Sequence, residues 1–456
     1  MSISVVILAA GQGTRMRSAR PKVLHPLGGV PMLLHVIRTA RELDPAGIHV
    51  VYGHGGDQVR EVLAGENVDW VLQDRQLGTG HAVELAMTRV SGADTVLVLY
   101  GDVPLIRAAT LSALVEKAAH GALAVLTAVV DEPRGYGRML RDTSGKLVAI
   151  VEQKDASAAQ LEIREINTGF LAAPADRLRA WLGQLDNANS QGEYYLTAVV
   201  ALAAAAGAAL ETASATDTLE ILGVNDRAQL SILERAYQRD QAQRLMHNGV
   251  TVADPARLDV RGALQAGWDC ELDVNVVFEG DVRLGERVRV GPNCVIRNAT
   301  ISDDVEILAN CVIEDCAIGS GSRIGPFARI RPESELGERV HIGNFVEIKK
   351  SRIAAGSKVN HLSYIGDTRM GAKVNVGAGT ITCNYDGANK HLTEIGNDVF
   401  IGSDTQLVAP VKVGDGATIG AGSTITREVP SGELVLSRCP QQIRPGWKRP
   451  VKKSKE

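Results

Sequence analysis

The stretch LAAGQGTRMRSARPK, residues 8 to 22, sets Gly11 and Gly13 two apart and follows them with Arg15 and Lys22. Successive backbone N–H groups in such a bend form a nest for an anion, and two nearby cations can neutralise the charge gathered on a triphosphate. The pattern is neither a dinucleotide fingerprint nor a Walker loop. Met16 stands where the third glycine of G-x-G-x-x-G belongs, and the chain about twenty residues on reads VPMLLHV, with no acid for a ribose. Asp102 follows the apolar run TVLVLY, where a carboxylate can bridge Mg2+ to phosphate oxygens. In Gly-Asp-Val-Pro it is also an ordinary turn residue.

A second chemistry lies in the repeats. Beyond Leu272 an aliphatic residue recurs every six positions, with occasional steps of five. The series runs through Phe278, Leu284 and Val290 to Ile330, Leu336, Ile342 and Ile348, on to Ile353, Val359, Ile365, Met370, Val376 and Ile381, and resumes at Ile395, Ile401, Leu407, Val413, Ile419 and Ile425. Three hexads make one triangular coil, so Arg331 and Lys349, each one past its aliphatic residue, stand one above the other. Stacked cations repel unless an anion lies beside them. That leaves either a phosphate-shaped vacancy or two solvated side-chain ends. Val359, Val376, Ile401 and Ile419 occupy equivalent corners, so His361, Ala378, Ser403 and Ala421, two residues later, form one column. An imidazole at the foot of a groove of small side chains suits an extended ligand with a reactive end, such as a pantetheine thioester. Small residues also suit close packing between subunits. Between Ile381 and Ile395 the insertion TCNYDGANKHLTE breaks the period with an Asp-Gly turn, and a long loop thrown from a regular solenoid is usually functional or disordered.

The elements that must hold these groups follow from periodicity. Up to residue 224, strand-like runs (VVILAA, HVVYG, TVLVLYGD, LAVLTAVV, LVAIVE) alternate with helix-like stretches, which predicts an α/β domain with a mostly parallel, Rossmann-like sheet and helices on both faces. The first run delivers the glycine loop to the strands' carboxyl edge, where such sheets bind ligands. Residues 225–249 read as one connecting helix, capped by Asn225 or Asp226 and ended by Gly249. Residues 250–456 read as a parallel β-helix of hexapeptide repeats. The general crossover rule would wind it right-handed.

Length and composition bound the rest. The 456 residues suffice for two or three domains, and a net charge of −4 with interspersed signs gives no expectation of wholesale nucleic-acid binding. No apolar run approaches the roughly 20 residues of a membrane span, and the N-terminal run lacks the basic flank of a signal peptide. Six cysteines without a CxxC pair fit reduced thiols in a cytoplasm.

LAAGQGTRM with PKVL resembles the sugar-1-phosphate nucleotidyltransferases. With QLGTGHA (76–82), YGDVPL (100–105), GYGR (135–138), EINTGF (165–170), GEYYLT (192–197) and the repeats, residues 3 to 450 resemble the bacterial bifunctional family that joins a glucosamine-1-phosphate N-acetyltransferase to an N-acetylglucosamine-1-phosphate uridylyltransferase. The resemblance implies a left-handed β-helix, a homotrimer, the co-substrates UTP and acetyl-CoA, and Mg2+. It implies an N-terminal site of Leu8, Ala9, Ala10, Gly11, Gly13, Arg15 and Lys22 for the nucleotide phosphates, with Gln73, Gly78 and Thr79 at the uracil. Tyr100, Gly101 and Asp102 complete it, Gly137, Glu152, Asn167 and Thr168 take the sugar, and Asp102 with Asn225 the metal. In the C-terminal site His361 would be the general base, a task suited to imidazole because it titrates near neutrality. Arg331 and Lys349 would grip the sugar phosphate, Tyr364 and Asn375 the sugar, while Ala378, Asn384, Tyr385, Ser403, Ala421 and Arg438 border the coenzyme. The NYDG insertion would embrace a neighbouring subunit. The basic tail GWKRPVKKSKE reads as a solvated end or as a lure for the coenzyme's phosphates. Three readings stand here: two enzymes in one chain, one enzyme with an assembling or regulatory β-helix, and a structural module beside an inactive partner.

Overall fold

In the first strand, Val5 and Ile7 face one hydrophobic cluster and Val6 and Leu8 the other, the period-2 alternation of a strand covered on both sides. The computed structural model describes residues 2–53, 56–215 and 217–452. The strands of its main N-terminal sheet are β1 (Ile3–Ala9), β2 (Gly47–Gly53), β3 (Asp69–Gln73), β4 (Thr95–Tyr100), β5 (Leu123–Val129), β6 (Gly137–Arg141), β7 (Leu147–Val151), β8 (Glu165–Pro174) and β9 (Leu210–Ser214). Among the described residues they form one sheet in the order β9-β5-β8-β4-β1-β2-β3, with the β6–β7 hairpin attached to β8. Along that order neighbours pair parallel except β8, which runs antiparallel to both β4 and β5, and the attached hairpin is antiparallel throughout. Helices Met32–Arg41 and Ala108–Ala118 cover one face through Leu33, Ile37, Leu111 and Leu114; Thr79–Met87, Ala175–Leu182 and Ala198–Ala205 cover the other through Val83, Leu178, Trp181 and Val199. β1 and β4 are central, and their carboxyl ends carry the glycine loop and Asp102 side by side.

The predicted connecting helix is shorter than its sequence signal, spanning Arg227–His247. Asp226 is the residue that caps it, accepting the Gln229 N–H at 2.9 Å, while Gln229 Oε1 accepts the Asn225 N–H at 2.7 Å. Gly249, at φ 89, follows its end. The chain divides into two compact units, Met1–Asp240 and Gln241–Glu456. Within the first, Leu233 packs with Met16, Leu27, Met32 and Val224. Within the second, Ala242 and Leu245 join the β-helix core.

Parallel strands form an 11-stranded and a 15-stranded sheet in this second unit, among the described residues. Successive coils stack in register, as in Ile330↔Ile348↔Ile365 and Val359↔Val376↔Ile401↔Ile419. Asparagines recur at one left-handed corner, Asn275, Asn293 and Asn310 each at φ 60. One aliphatic assignment is corrected: Ile381 is 41% exposed and Thr382, at 1%, takes the inward slot opposite Leu407. The step from Val376 therefore stays at six, and the Thr382 hydroxyl accepts the Gly366 N–H at 2.8 Å. Among the described residues no helix is long and apolar enough to cross a membrane.

Candidate active sites

The chain leaves β1 through Ala10 and Gly11 into Gly13, which sits at φ 60; a Cβ there would lie 2.6 Å from Lys22 Cβ. Glycine is what lets the Lys22 segment close onto the loop. Met16, at the vacant third-glycine position, is buried and plugs the turn into the Leu27, Met32 and Val224 cluster. Gly101 continues the same edge, its N–H donating to the Leu8 carbonyl at 2.9 Å. Lys22 pairs with the Asp102 carboxylate, and Arg15 Nη2 donates to Asn225 Oδ1 at 2.9 Å. The Val224 N–H donates to the Asp102 carbonyl at 2.9 Å, which sets Asn225 beside Asp102. Two oxygen donors thus converge, each already holding a cationic side chain. Oxygen donors of this kind fit a hard divalent ion.

A cleft of about 280 Å³ opens at this edge, lined by Leu8, Ala9, Ala10, Gly11, Lys22, Gln73, Gly78, Thr79, Tyr100 and Asp102, with Val23, Gln76, Ala82 and Glu193. Gln73 Nε2 donates to the Gly78 carbonyl at 3.0 Å, and Thr79 Oγ1 accepts the Leu196 N–H at 3.1 Å. Gly78 needs its φ of 113, and a Cβ would meet the Tyr194 carbonyl at 2.6 Å. Burial, then the Glu152 and Asp102 charges, push the Tyr100 phenol far above its ordinary range, so it stays a neutral donor. Glu152, just past β7, accepts the Thr197 hydroxyl at 2.9 Å, yet burial holds its carboxyl above the usual value. Gly137 pairs with Asn167 across the β6–β8 ladder, and Asn167 Oδ1 accepts the Gly169 N–H at 3.0 Å. Thr168 turns its hydroxyl onto the Leu126 carbonyl at 2.8 Å and so serves the sheet.

In the β-helix an outward column reads Arg261, Glu279, Arg297, Glu314, and then Arg331 followed by Lys349. Charges alternate up to Arg331, with Arg297 Nε on Glu279 at 2.8 Å and Arg297 Nη1 on Glu314 at 2.9 Å. Lys349 breaks that alternation, which concentrates positive charge at one height. Flanking acids hold the two cations apart: Arg331 Nη1 lies 2.7 Å from Glu347 Oε1 and Lys349 Nζ 3.6 Å from Asp367 Oδ2. Asn384 Nδ2 bridges Asp367 at 2.5 Å and the Tyr364 hydroxyl at 3.3 Å. Lys390, from the insertion, meets Lys349, and that contact pushes the Lys390 ammonium below its usual value. Asp386 turns the loop by accepting the Ala388 and Asn389 N–H groups and pairs with His391 at 2.6 Å.

Arg331, Lys349, Tyr364 and Asn384 therefore gather in one cluster. His361, Ala378, Ser403 and Ala421 form the expected column, prolonged by Arg438, whose Nη1 donates to the Ala421 carbonyl at 2.7 Å. Asn375 lies on the strand next to that of His361, paired with Lys358 and Phe400, in the 11-stranded sheet rather than the 15-stranded one that carries Lys349 and Tyr364, and Tyr385 is 60% exposed with its hydroxyl on Gly387. Sequence reasoning missed Gln76, which holds the Ala10 carbonyl, and the trio Glu347, Asp367 and Lys390. Lys390 had a signal, being the cation of the period-breaking insertion.

A glycine-loop nucleotidyltransferase sheet followed by a hexapeptide β-helix defines a two-unit transferase. The model of the MobA-like NTP transferase domain matches residues 5–245, that of the GMPPB C-terminal domain residues 262–343, and that of the bacterial transferase hexapeptide (six repeats) residues 392–427. A protein named bifunctional protein GlmU from Ralstonia nicotianae is 56% identical over 454 residues, covering 100% of both chains. Proteins of that name from Acidithiobacillus ferrooxidans (57% over 455 residues, 100% of each chain) and Pseudomonas entomophila (56% over 452 residues, 99% of each) match alike. The chain belongs to the GlmU family and is a bifunctional acetyltransferase and uridylyltransferase of UDP-N-acetylglucosamine synthesis.

Proposed function

We propose that residues 1–224 carry the uridylyl transfer, residues 250–456 the acetyl transfer, and residues 225–249 the connection between them. In the N-terminal cleft a phosphate oxygen of N-acetylglucosamine-1-phosphate attacks the α-phosphorus of UTP in line, and pyrophosphate leaves. The attacking group is already an anion, so the side chains align and screen rather than abstract a proton. Gly11, Gly13, Arg15 and Lys22 hold the phosphates; Gln73, Gly78 and Thr79 read the base; Tyr100, Gly137, Glu152 and Asn167 place the sugar. Asp102 and Asn225 would hold Mg2+, which supplies charge neutralisation at the phosphates when bound. The observation carrying this reading is the convergence of Lys22, Asp102, Arg15 and Asn225 at the glycine loop.

On the β-helix, glucosamine-1-phosphate offers its amine to the thioester of acetyl-CoA. Arg331, Lys349 and Lys390 grip the phosphate, with Tyr364 and Asn375 at the sugar. As the amine nitrogen bonds to the acetyl carbon, His361 takes the amine proton and the C–S bond breaks, releasing the coenzyme thiolate to be protonated from solvent; the coenzyme runs along Ala378, Ser403 and Ala421 toward Arg438, with Asn384 and Tyr385 at its reactive end. The break in charge alternation at Lys349 supports this over a purely assembling module. Acetylation precedes uridylylation. A homotrimer fits the hexapeptide family, and an apolar strip supports it: the exposed rings of Phe327 and Phe345 stack at 5.2 Å, with exposed Leu362 next in line. Shared sites would make a dissociated subunit a poor acetyltransferase. The six free thiols suit a reducing cytoplasm. Part of the basic tail, residues 453–456, lies outside the described residues. Supplying glucosamine-1-phosphate, acetyl-CoA, UTP and Mg2+ while following thiol and pyrophosphate release separately tests the scheme. Pyrophosphate release from UTP and added N-acetylglucosamine-1-phosphate, with no thiol release from acetyl-CoA and glucosamine-1-phosphate, would reduce the β-helix to assembly.

A further inference from the structure

Among the described residues His361 is hydrogen-bonded to one other side chain, and that joint is built into the coil register. Asn344 pairs directly with His361 across adjacent strands, and Asn344 Oδ1 lies 2.8 Å from His361 Nδ1. The two strands are clamped on either side of this contact. A Cβ on Gly343 would fall 1.9 Å from the Asn360 carbonyl oxygen, and the Leu362 N–H donates to the Asn344 carbonyl at 3.1 Å. An amide oxygen only accepts, so Nδ1 must carry the ring proton. Nε2, which has no hydrogen-bond partner among the described residues, then keeps the lone pair. Free imidazole in water prefers the opposite tautomer, with the proton on Nε2. A base exposed at the foot of the groove would spend most of its time in the wrong form unless something reversed that preference.

We infer that Asn344 is a positioning residue for acetyl transfer, fixing His361 in the Nδ1–H tautomer with Nε2 turned to receive the amine proton. This rests on the reading of His361 as the general base and adds a second residue to it. Being uncharged, Asn344 orients the ring without holding its protonated form, which lets the imidazole give the proton up to solvent after each turnover. The titratable group that acts on the ring is His341 on the preceding strand, itself beside Lys358, Arg323 and Glu306; the following strand, Asn375–Val376, brings none.

Thiol release by the full-length protein is measured across pH for wild type, N344L, N344D and H361A, with thermal unfolding and acetyl-CoA affinity as controls for folding. For N344L we expect kcat to fall about tenfold or more, with KM for both substrates within about twofold, because general-base efficiency depends on the aligned lone pair. N344D keeps an acceptor, so it retains most of kcat while its negative charge moves the acid limb of the rate profile to higher pH. In wild type, ¹⁵N NMR of His361, assigned by its loss in H361A, should report the Nδ1–H tautomer. An Nε2–H tautomer in wild type, or wild-type kcat and an unmoved pH limb in N344L while H361A is inactive, would overturn the role of Asn344 alone. Retained thiol release in H361A would instead remove the base assignment on which it rests.

Discussion

Asp102 holds Lys22, and Asn225 holds Arg15, at the edge where nucleotide phosphates are to be met. On the proposed assignment nucleotide binding would exchange partners: ammonium and guanidinium would pass to phosphate oxygens, and the carboxylate and amide oxygens would be free to hold a divalent ion. Lys22→Met should therefore raise the affinity for Mg2+ added without nucleotide by up to about fivefold, the worth of a partly exposed ion pair, while lowering uridylyl transfer. Titration calorimetry with Mg2+ alone reads this, and unchanged affinity would show that the ion pair does not guard the site. Glu152 gives a pH prediction. Burial raises its folded pKa, so its contribution to stability is full at low pH and lost as pH rises through that value. Glu152→Gln should raise the melting temperature at pH 8 and lose that gain toward pH 4. If the ionised carboxylate helps hold the sugar, KM for N-acetylglucosamine-1-phosphate should rise in wild type on acidification, and the same substitution should remove that rise. Asp102 was legible because it follows an apolar run, and Lys22 because it trails the glycine loop as a second cation. Asp367 and Glu347 were not, because their meaning comes from the coil above or below, where sequence shows a charge and no distance.

The hexad period exposed the β-helix and its columns because every coil repeats one spacing, so His361, Ala378, Ser403 and Ala421 could be aligned by counting. Counting aliphatic residues failed at Ile381, since the inward slot holds a threonine whose hydroxyl meets the Gly366 N–H. Thr382→Val should cost about 1–3 kcal/mol in denaturant unfolding, the penalty of a buried donor left unmet. A neutral or stabilising valine would mean the slot is merely apolar. In the N-terminal unit five strands were legible as apolar runs. β3, β6, β8 and β9 were not: β8 carries Asn167, Thr168 and Gly169 through an irregular register at the site itself, and the others mix polar residues into short segments. The antiparallel course of β8 had no local signal, because direction is decided by packing between β4 and β5 rather than by composition.

At the scale of the whole chain, a phosphate loop with its carboxylate and a stacked-cation column with its imidazole occupy different compact units, so each chemistry should survive loss of the other. Dilution that separates subunits should depress thiol release well before pyrophosphate release, as followed by mass photometry beside both assays; a parallel decline would argue against an acetyl site shared between copies. The two-site organisation was readable because two grammars, alternation of runs and a six-residue period, meet near residue 250. The unit boundary within the helix Arg227–His247 was not, since helical periodicity continues through Asp240 without a break. The most direct test is His361→Ala in the full chain, with both products followed in one preparation. Thiol release from acetyl-CoA and glucosamine-1-phosphate should vanish, while pyrophosphate release from UTP and N-acetylglucosamine-1-phosphate stays at the wild-type rate. Loss of both signals in a folded variant, or thiol release that persists, would contradict two separate enzymes in one polypeptide.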